Sequence, residues 1–253
     1  MSVAAAGNLD WSGSAPIEMP DSKTVHLWRA TLNPTESLLE KHRNILRPEE
    51  LSRAARFKFN RHRNSYITAR SQLRRLLSLY LSVPSEKIEL LTTIHGKPYV
   101  QSPKLPKLQF NLSHSHDRVV YAIGSTCDLG IDIEWIKPGF ADSGIPERFF
   151  SSSEVAALRS VSLGKQAEAF FNCWTRKEAI IKAIGQGLSL PLDAFDVSLK
   201  PGEPARVLDM RIPQIDQEFW QIWDINVDTN YKAALALQGD VAHLRSFDCD
   251  LTL

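Results

Sequence analysis

The chain has 253 residues, 43% of them hydrophobic and 23% charged, and its net charge is +1. This is ordinary globular composition, with enough chain for one large domain or two small ones. No apolar run approaches the ~20 residues that a membrane-spanning helix needs, so no membrane partner is expected.

Cys127, Cys173 and Cys249 are scattered and show no C-x-x-C spacing. They read as reduced thiols in the cytoplasm, not as a disulfide framework or a zinc ribbon. Residues 1–22 carry no basic segment followed by a long apolar core, so they read as a loosely attached tail, not a signal peptide. The charge is unevenly placed. Residues 41–75 hold eleven Lys/Arg against two acids, Glu49 and Glu50, a balance of +9 that leaves −8 for the rest. Such asymmetry points to an anionic partner.

In chain order, Val25–Leu32 alternates as a first strand. Thr35–Leu46 is a short helix stopped by Pro48, and Glu49–Phe59 begins another. Tyr66, Ala69, Leu73, Leu76, Leu77 and Tyr80 mark a longer helix over Arg63–Leu81, ended by Pro84. Ile88–Thr92 is a strand, and His95-Gly96-Lys97-Pro98 a turn. Leu108–Leu112 and Arg118–Gly124 are strands joined by Ser113-His114-Ser115-His116-Asp117. After Leu129 the grammar repeats: a helix at Ser152–Leu158, a long helix ending near Gly185, then strands at Phe195–Leu199, Ala205–Met210, Phe219–Asn226 and Lys232–Leu237. Two similar α+β halves are predicted, residues 23–128 and 129–253, with the junction near Cys127–Gly130. An internally duplicated chain of this kind fits a monomer.

The long second helix carries an anomaly. Phe171, Trp174 and Ile181 mark its apolar stripe, and Glu178 sits on that stripe. A carboxylate turned toward a core must be neutralised, paired or metal-bound. Lys182, one turn on, is one candidate partner. In the strand Leu129–Trp135, Asp132 and Glu134 share one face while Ile131 and Ile133 share the other. Asp132, Glu134 and Glu178 together fit a magnesium site completed by waters and phosphates, and manganese would also be accepted. His114, His116 and Asp117 raise a zinc alternative, but no H-x-x-x-H or H-E-x-x-H accompanies them. Gly185-Gln186-Gly187 follows a helix where nucleotide-binding glycines should precede one. A nucleic-acid-binding protein built on residues 41–75, or another magnesium-dependent phosphotransferase, remains open at this point. The first lacks a recognisable docking motif and would leave the three carboxylates unexplained.

Taken together, Gly96–Pro98 (GKP), Phe110–Ser115 (FNLSHS), Gly130–Glu134 (GIDIE), Phe149–Glu154 (FF-x-x-x-E) and Trp174–Leu188 (WTRKEAIIKAIGQGL) resemble the 4′-phosphopantetheinyl transferases of the larger, surfactin-synthetase-activating type. The resemblance spans about Val25–Leu237. It implies an α+β fold of two similar halves related by a pseudo-two-fold. The implied activity is transfer of the phosphopantetheine arm of coenzyme A to a serine of an acidic apo carrier protein. The resemblance also implies Asp132, Glu134 and Glu178 as metal ligands, and Glu178, Lys182 and Asp132 as catalytic. Arg53, Lys97, Pro98, Asn111, Ser113, His114, Lys177 and Lys182 are implied to hold coenzyme A. No nucleic acid partner is expected. Some relatives carry a second basic residue three positions before Arg53, where this chain has Glu50.

Overall fold

The structure is a computed structural model that describes residues 9–13, 18–100, 108–125, 128–213, 215 and 217–249; Cys127 and most of the expected tail lie outside them. Strand β1 (Thr24–Thr31) is followed by helices α1 (Glu36–Ile45), α2 (Pro48–Ala55) and α3 (Asn60–Leu81). The hairpin β2 (Leu90–Thr92) and β3 (Pro98–Val100) leads to β4 (Gln109–Ser115) and β5 (Arg118–Gly124). The second half begins with β6 (Leu129–Trp135), then α4 (Ile145–Phe149), α5 (Ser152–Ser160) and α6 (Leu163–Ile184). Strands β7 (Phe195–Val197), β8 (Val207–Met210), β9 (Trp220–Asp224), β10 (Tyr231–Gln238) and β11 (His243–Asp248) complete the order.

One sheet has the order β11-β1-β5-β4 and a second the order β6-β10-β9. Alternation along the strands builds three apolar layers. Val119, Tyr121 and Ile123 of β5 face α3, whose Leu73, Leu76 and Leu77 are fully buried. Val120 and Ala122 turn the other way, toward Ile131, Ile133, Leu235 and Leu237 of the second sheet. Ala234 and Ala236 then face α6 with Phe170, Phe171 and Ile180. The odd residues of β6 thus lie between the sheets, and the even ones, Gly130, Asp132 and Glu134, face α6. Gly130 is required there: a Cβ would lie 2.2 Å from the Ala179 carbonyl oxygen and 2.3 Å from the Ala183 nitrogen.

Several elements depart from expectation. Helix α2 stops at Ala55, where Arg56 N–H turns back to the Arg53 carbonyl, and α3 starts three residues early at Asn60. Ile88 belongs to a turn and not to β2, because its carbonyl accepts from Arg74. Helix α4 and strand β11 were not expected. Strand β11 runs parallel to β1, so the end of the described chain returns to the sheet of the first half. The segment expected as a loose tail is anchored where it is described. Trp11 is buried, its indole N–H donates to the Asn226 carbonyl at 2.9 Å, and the Arg29 guanidinium lies 4.8 Å from its ring centre.

Candidate active site

The two sheets meet where β4 lies beside β6. The two strands are joined by side chains in place of a backbone ladder. Asn111, Ser113 and Ser115 alternate with Phe110, Leu112 and His114, so all three project from one side of β4. Asn111 accepts from Ile131 N–H at 3.0 Å, and Ser115 Oγ accepts from Trp135 N–H at 3.1 Å. These bonds satisfy edge donors that β10, on the far side of β6, cannot reach. Ser113 Oγ donates to Asp132 Oδ1 at 2.8 Å, and Ser115 Oγ to Glu134 Oε2 at 2.7 Å.

Helix α6 closes this seam from the other side. Lys182 Nζ donates to Asp132 Oδ1 (2.6 Å), Ser113 Oγ (2.9 Å) and the Ile131 carbonyl (3.2 Å). The Glu178–Lys182 pairing read from helical spacing is therefore corrected: the ammonium goes across to Asp132. Among the described residues Glu178 forms no ion pair and accepts no hydrogen bond. Burial and then the neighbouring Asp132 charge push the Glu178 carboxyl above its ordinary range, and the same causes raise Glu134. The three carboxylates thus repel one another across the seam. Asp132 Oδ2 is buried and has no partner. Among the described residues no three acidic, His or Cys side chains close into a finished cation site. Instead, the Lys182 ammonium supplies the positive charge at Asp132.

Lys97 enters from the β2–β3 hairpin. Its ammonium caps the end of α6 through the Ala183 carbonyl at 3.0 Å and reaches the Leu129 carbonyl at 3.2 Å, leaving one donor unused among the described residues. Burial lowers its pKa. Pro98, next to it, opens β3 opposite Thr92. His114 is exposed and lies on the opposite side of β4 from Ser113, so the structure does not bring it to the carboxylates.

Two expected ligand residues are tied into the fold, Asn111 in part and Lys177 completely. Asn111 is buried and spends its carbonyl on Ile131. Lys177 is fully buried and donates to the carbonyls of Leu192 (2.6 Å) and Phe195, with Glu154 at 2.8 Å. An ammonium has three donors, so none remains for a ligand.

One recess borders the seam and another lies on the first half. Glu134 and Lys137 border a cavity of about 150 Å³ walled by Phe140, Ile145, Phe170, Phe171 and Trp174. On the first half, Glu49, Arg53, Arg56 and Phe57 line a cavity of about 540 Å³. Ser115 and the aromatic recess were missed from sequence. The period-two run of small polar residues from Asn111 to Ser115 was the available signal for the first.

Fold and site define the class: an α+β protein of two halves whose carboxylates gather on one seam. The comparisons carry this further. Residues 128–236 match the 4′-phosphopantetheinyl transferase superfamily, and residues 30–126 match the 4′-phosphopantetheinyl transferase N-terminal family. The 4′-phosphopantetheinyl transferase HetI of Nostoc sp. is 35% identical over 86% of this chain and 89% of that protein. The 4′-phosphopantetheinyl transferase Sfp of Bacillus subtilis (strain 168) is 34% identical over 63% of this chain and 69% of its own. The human L-aminoadipate-semialdehyde dehydrogenase-phosphopantetheinyl transferase is 30% identical over 76% and 67%. A solved structure of Thermotoga maritima holo-[acyl-carrier-protein] synthase overlaps 45% of this chain and 64% of that one, with 17% identity and a TM-score of 0.36, too slight a likeness to add weight. The chain belongs to the 4′-phosphopantetheinyl transferase family, and it is an enzyme of that class. No described helix is long and apolar enough to cross a membrane.

Proposed function

We propose that this enzyme takes the arm from coenzyme A and places it on a serine of an apo carrier protein with an acidic surface, releasing 3′,5′-ADP. The observation that carries this reading is the bare, buried Asp132 Oδ2 between two further carboxylates. Hard carboxylate oxygens suit magnesium or manganese, so Asp132, Glu134 and Glu178 would hold the cation. Bound there, it would neutralise charge on the pyrophosphate.

The side chains then divide the work. Glu178 has no protein partner and a raised pKa, so its carboxylate is the acceptor for the serine proton. The serine oxygen forms a bond to the phosphorus that bears the pantetheine. The bond from that phosphorus to the 3′,5′-ADP oxygen breaks, and the leaving group departs with the electron pair. The Lys182 ammonium, now on Asp132, and the third donor of Lys97 are the cations nearest the seam that would take up that charge. Ser113 and Ser115 hold Asp132 and Glu134 in place. The recess between Phe140 and Trp174 offers an apolar wall to the uncharged part of the arm. The two cationic side chains Arg53 and Arg56 suit the far, 3′-phosphate end. The enzyme acts as a cytoplasmic monomer in this reading.

Intact-mass spectrometry tests the proposal. An apo carrier incubated with the enzyme, magnesium and coenzyme A should gain the mass of one phosphopantetheine arm. No gain on a fatty-acid carrier and a peptidyl carrier alike would refute it.

A further inference from the structure

Arg53 and Arg56 lie three residues apart at the end of α2, and both are exposed at the 540 Å³ cavity. Among the described residues neither forms an ion pair. The Arg53 guanidinium rests on the Tyr66 ring at 5.5 Å. The acid beside them, Glu49, is held by Arg47 at 3.0 Å. Two guanidinium groups at this spacing repel each other unless an anion lies between them.

The obvious internal anion for Arg53 is Glu50, one turn earlier on the same helix. An isolated helix would pair them at i, i+3. Here the pairing is pre-empted. Glu50 is 5% exposed, and its two oxygens accept from Arg70 Nε at 2.5 Å and Arg74 Nε at 2.7 Å, both on α3, and from Arg47 N–H at 3.0 Å. Arg74 is itself fixed by the carbonyls of Ser85 and Ile88, at 2.8 and 2.9 Å. Burial pushes the Glu50 carboxyl up, but the bonds from Arg74, Arg47 and Arg70 outweigh it and hold the group below its ordinary pKa. The acid is thus ionised, turned inward and fully used.

We propose that Glu50 is a positioning residue: pinned to α3 by Arg70 and Arg74, it orients α2 and leaves Arg53 and Arg56 unpaired, so that the two guanidiniums jointly take a phosphomonoester dianion. This deepens the donor reading above and rests on it, the dianion being the 3′-phosphate of coenzyme A. The second positive charge comes from Arg56, and Glu50 is the brace.

The test uses the full chain and two donors, coenzyme A and dephospho-coenzyme A, with 3′,5′-ADP and 5′-AMP as binding probes. Arg56→Ala should weaken 3′,5′-ADP about tenfold in calorimetry and leave 5′-AMP unchanged, the size expected for a charge-assisted contact. Glu50→Gln should raise KM for coenzyme A about fivefold, a partial loss of the same contact, with kcat and the dephospho-coenzyme A KM within about twofold. A merely structural role would move both donors together. Should Glu50→Gln fail to fold, Arg70→Gln removes one arm of the clamp at a less buried position, and the same selective KM shift is expected. Equal effects on both donors, or unaltered 3′,5′-ADP binding by Arg56→Ala, overturn the proposal. A wild-type enzyme that uses both donors equally well also overturns it while sparing the donor reading. One that uses neither donor overturns both.

Discussion

The two halves solve the same mechanical problem with the same parts, and only one of them does so beside the seam of carboxylates. Each has a 22-residue helix closed by a left-handed residue, Ser82 after α3 and Gly185 after α6. Each has a shorter helix with a buried glutamate at its third position, Glu50 on α2 and Glu154 on α5. Each glutamate meets a buried cation on the long helix, Arg74 or Lys177, placed seven residues before the helix end. Each cation also takes two carbonyls from the turn after a proline: Ser85 and Ile88 behind Pro84, Leu192 and Phe195 behind Pro191. The next residue differs. It is Arg75 in the first half and Glu178 in the second. The shared brace ties each long helix to the shorter one, and in the second half the residue after it, Glu178, faces the carboxylate seam.

If the seam carries transfer, Asp132→Asn should reduce the transfer rate by about 100- to 10,000-fold while the fold survives, because Ser113 and Lys182 still find an oxygen there. Transfer within a few-fold of wild type would move the chemistry elsewhere.

The two braces should be separable from catalysis and unequal in stability. Lys177→Met leaves Glu154 buried without its ion partner and should lose about 3–5 kcal/mol in urea unfolding, whereas Arg74→Met leaves Glu50 still paired with Arg70 and should lose less. The folded fraction of Lys177→Met should transfer at a near-normal rate with an unchanged KM for coenzyme A. A stable Lys177→Met with a raised KM would return Lys177 to the ligand set.

The halves differ in acid response. Trp28 Nε1–H donates to Tyr80 Oη at 2.9 Å, so the tyrosine proton is free to go to His26 Nδ1 at 2.8 Å, and His26 is neutral. His42 shares Nδ1 with Ser71, and its Nε2 is buried without a partner. Burial holds both histidines down at about 4 from 6.5. Their folded pKa values lie below the unfolded one, so stability is full above pH 6.5 and falls as pH drops toward 4. The loss is on the order of 2–3 kcal/mol for each histidine. His42→Leu should flatten that slope in urea midpoints measured from pH 7 to pH 4. An unchanged slope would mean that His42 titrates normally. Every described histidine of the second half lies in β11, on the first sheet, so the acid-labile core belongs to the first half.

The smallest effect separates the seam from both braces. Glu134 and Glu178 have raised folded pKa values, so without a cation the fold loses stability as pH rises through them. Magnesium at about 100 times its pH 7 dissociation constant should restore about 2.7 kcal/mol at pH 7, and the same concentration less at pH 5, read as a rise in melting temperature. Glu178→Gln should shrink that rise. An equal rise in Glu178→Gln would place the cation away from the seam.

Local pattern made much of this legible. Period two in Leu129–Trp135 put Asp132 and Glu134 together, and helical spacing set Glu178 on the inner side of α6. Partners distant in the chain were not legible. Helical spacing offered Lys182 to Glu178, but tertiary packing gave it to Asp132. Lys177 sits in a motif that reads as ligand-binding, and its true partners come from a turn fifteen or more residues later. Glu50 reads as a missing cation until α3 is folded against it. Strand β11 is short and gains its identity only from pairing with β1.

The central claim is that Glu178, next to the α6 brace, takes the serine proton while its counterpart in the first half does not share the chemistry. Intact-mass analysis of an apo carrier protein, with coenzyme A, magnesium and either wild type or Glu178→Gln, tests it most directly once circular dichroism confirms both folds. The carrier should gain one arm with wild type, and Glu178→Gln should be slower by at least ~100-fold, the lower end for loss of a general base. A folded Glu178→Gln enzyme that loads the carrier at more than about half the wild-type rate, where a base should matter by orders of magnitude, would contradict it.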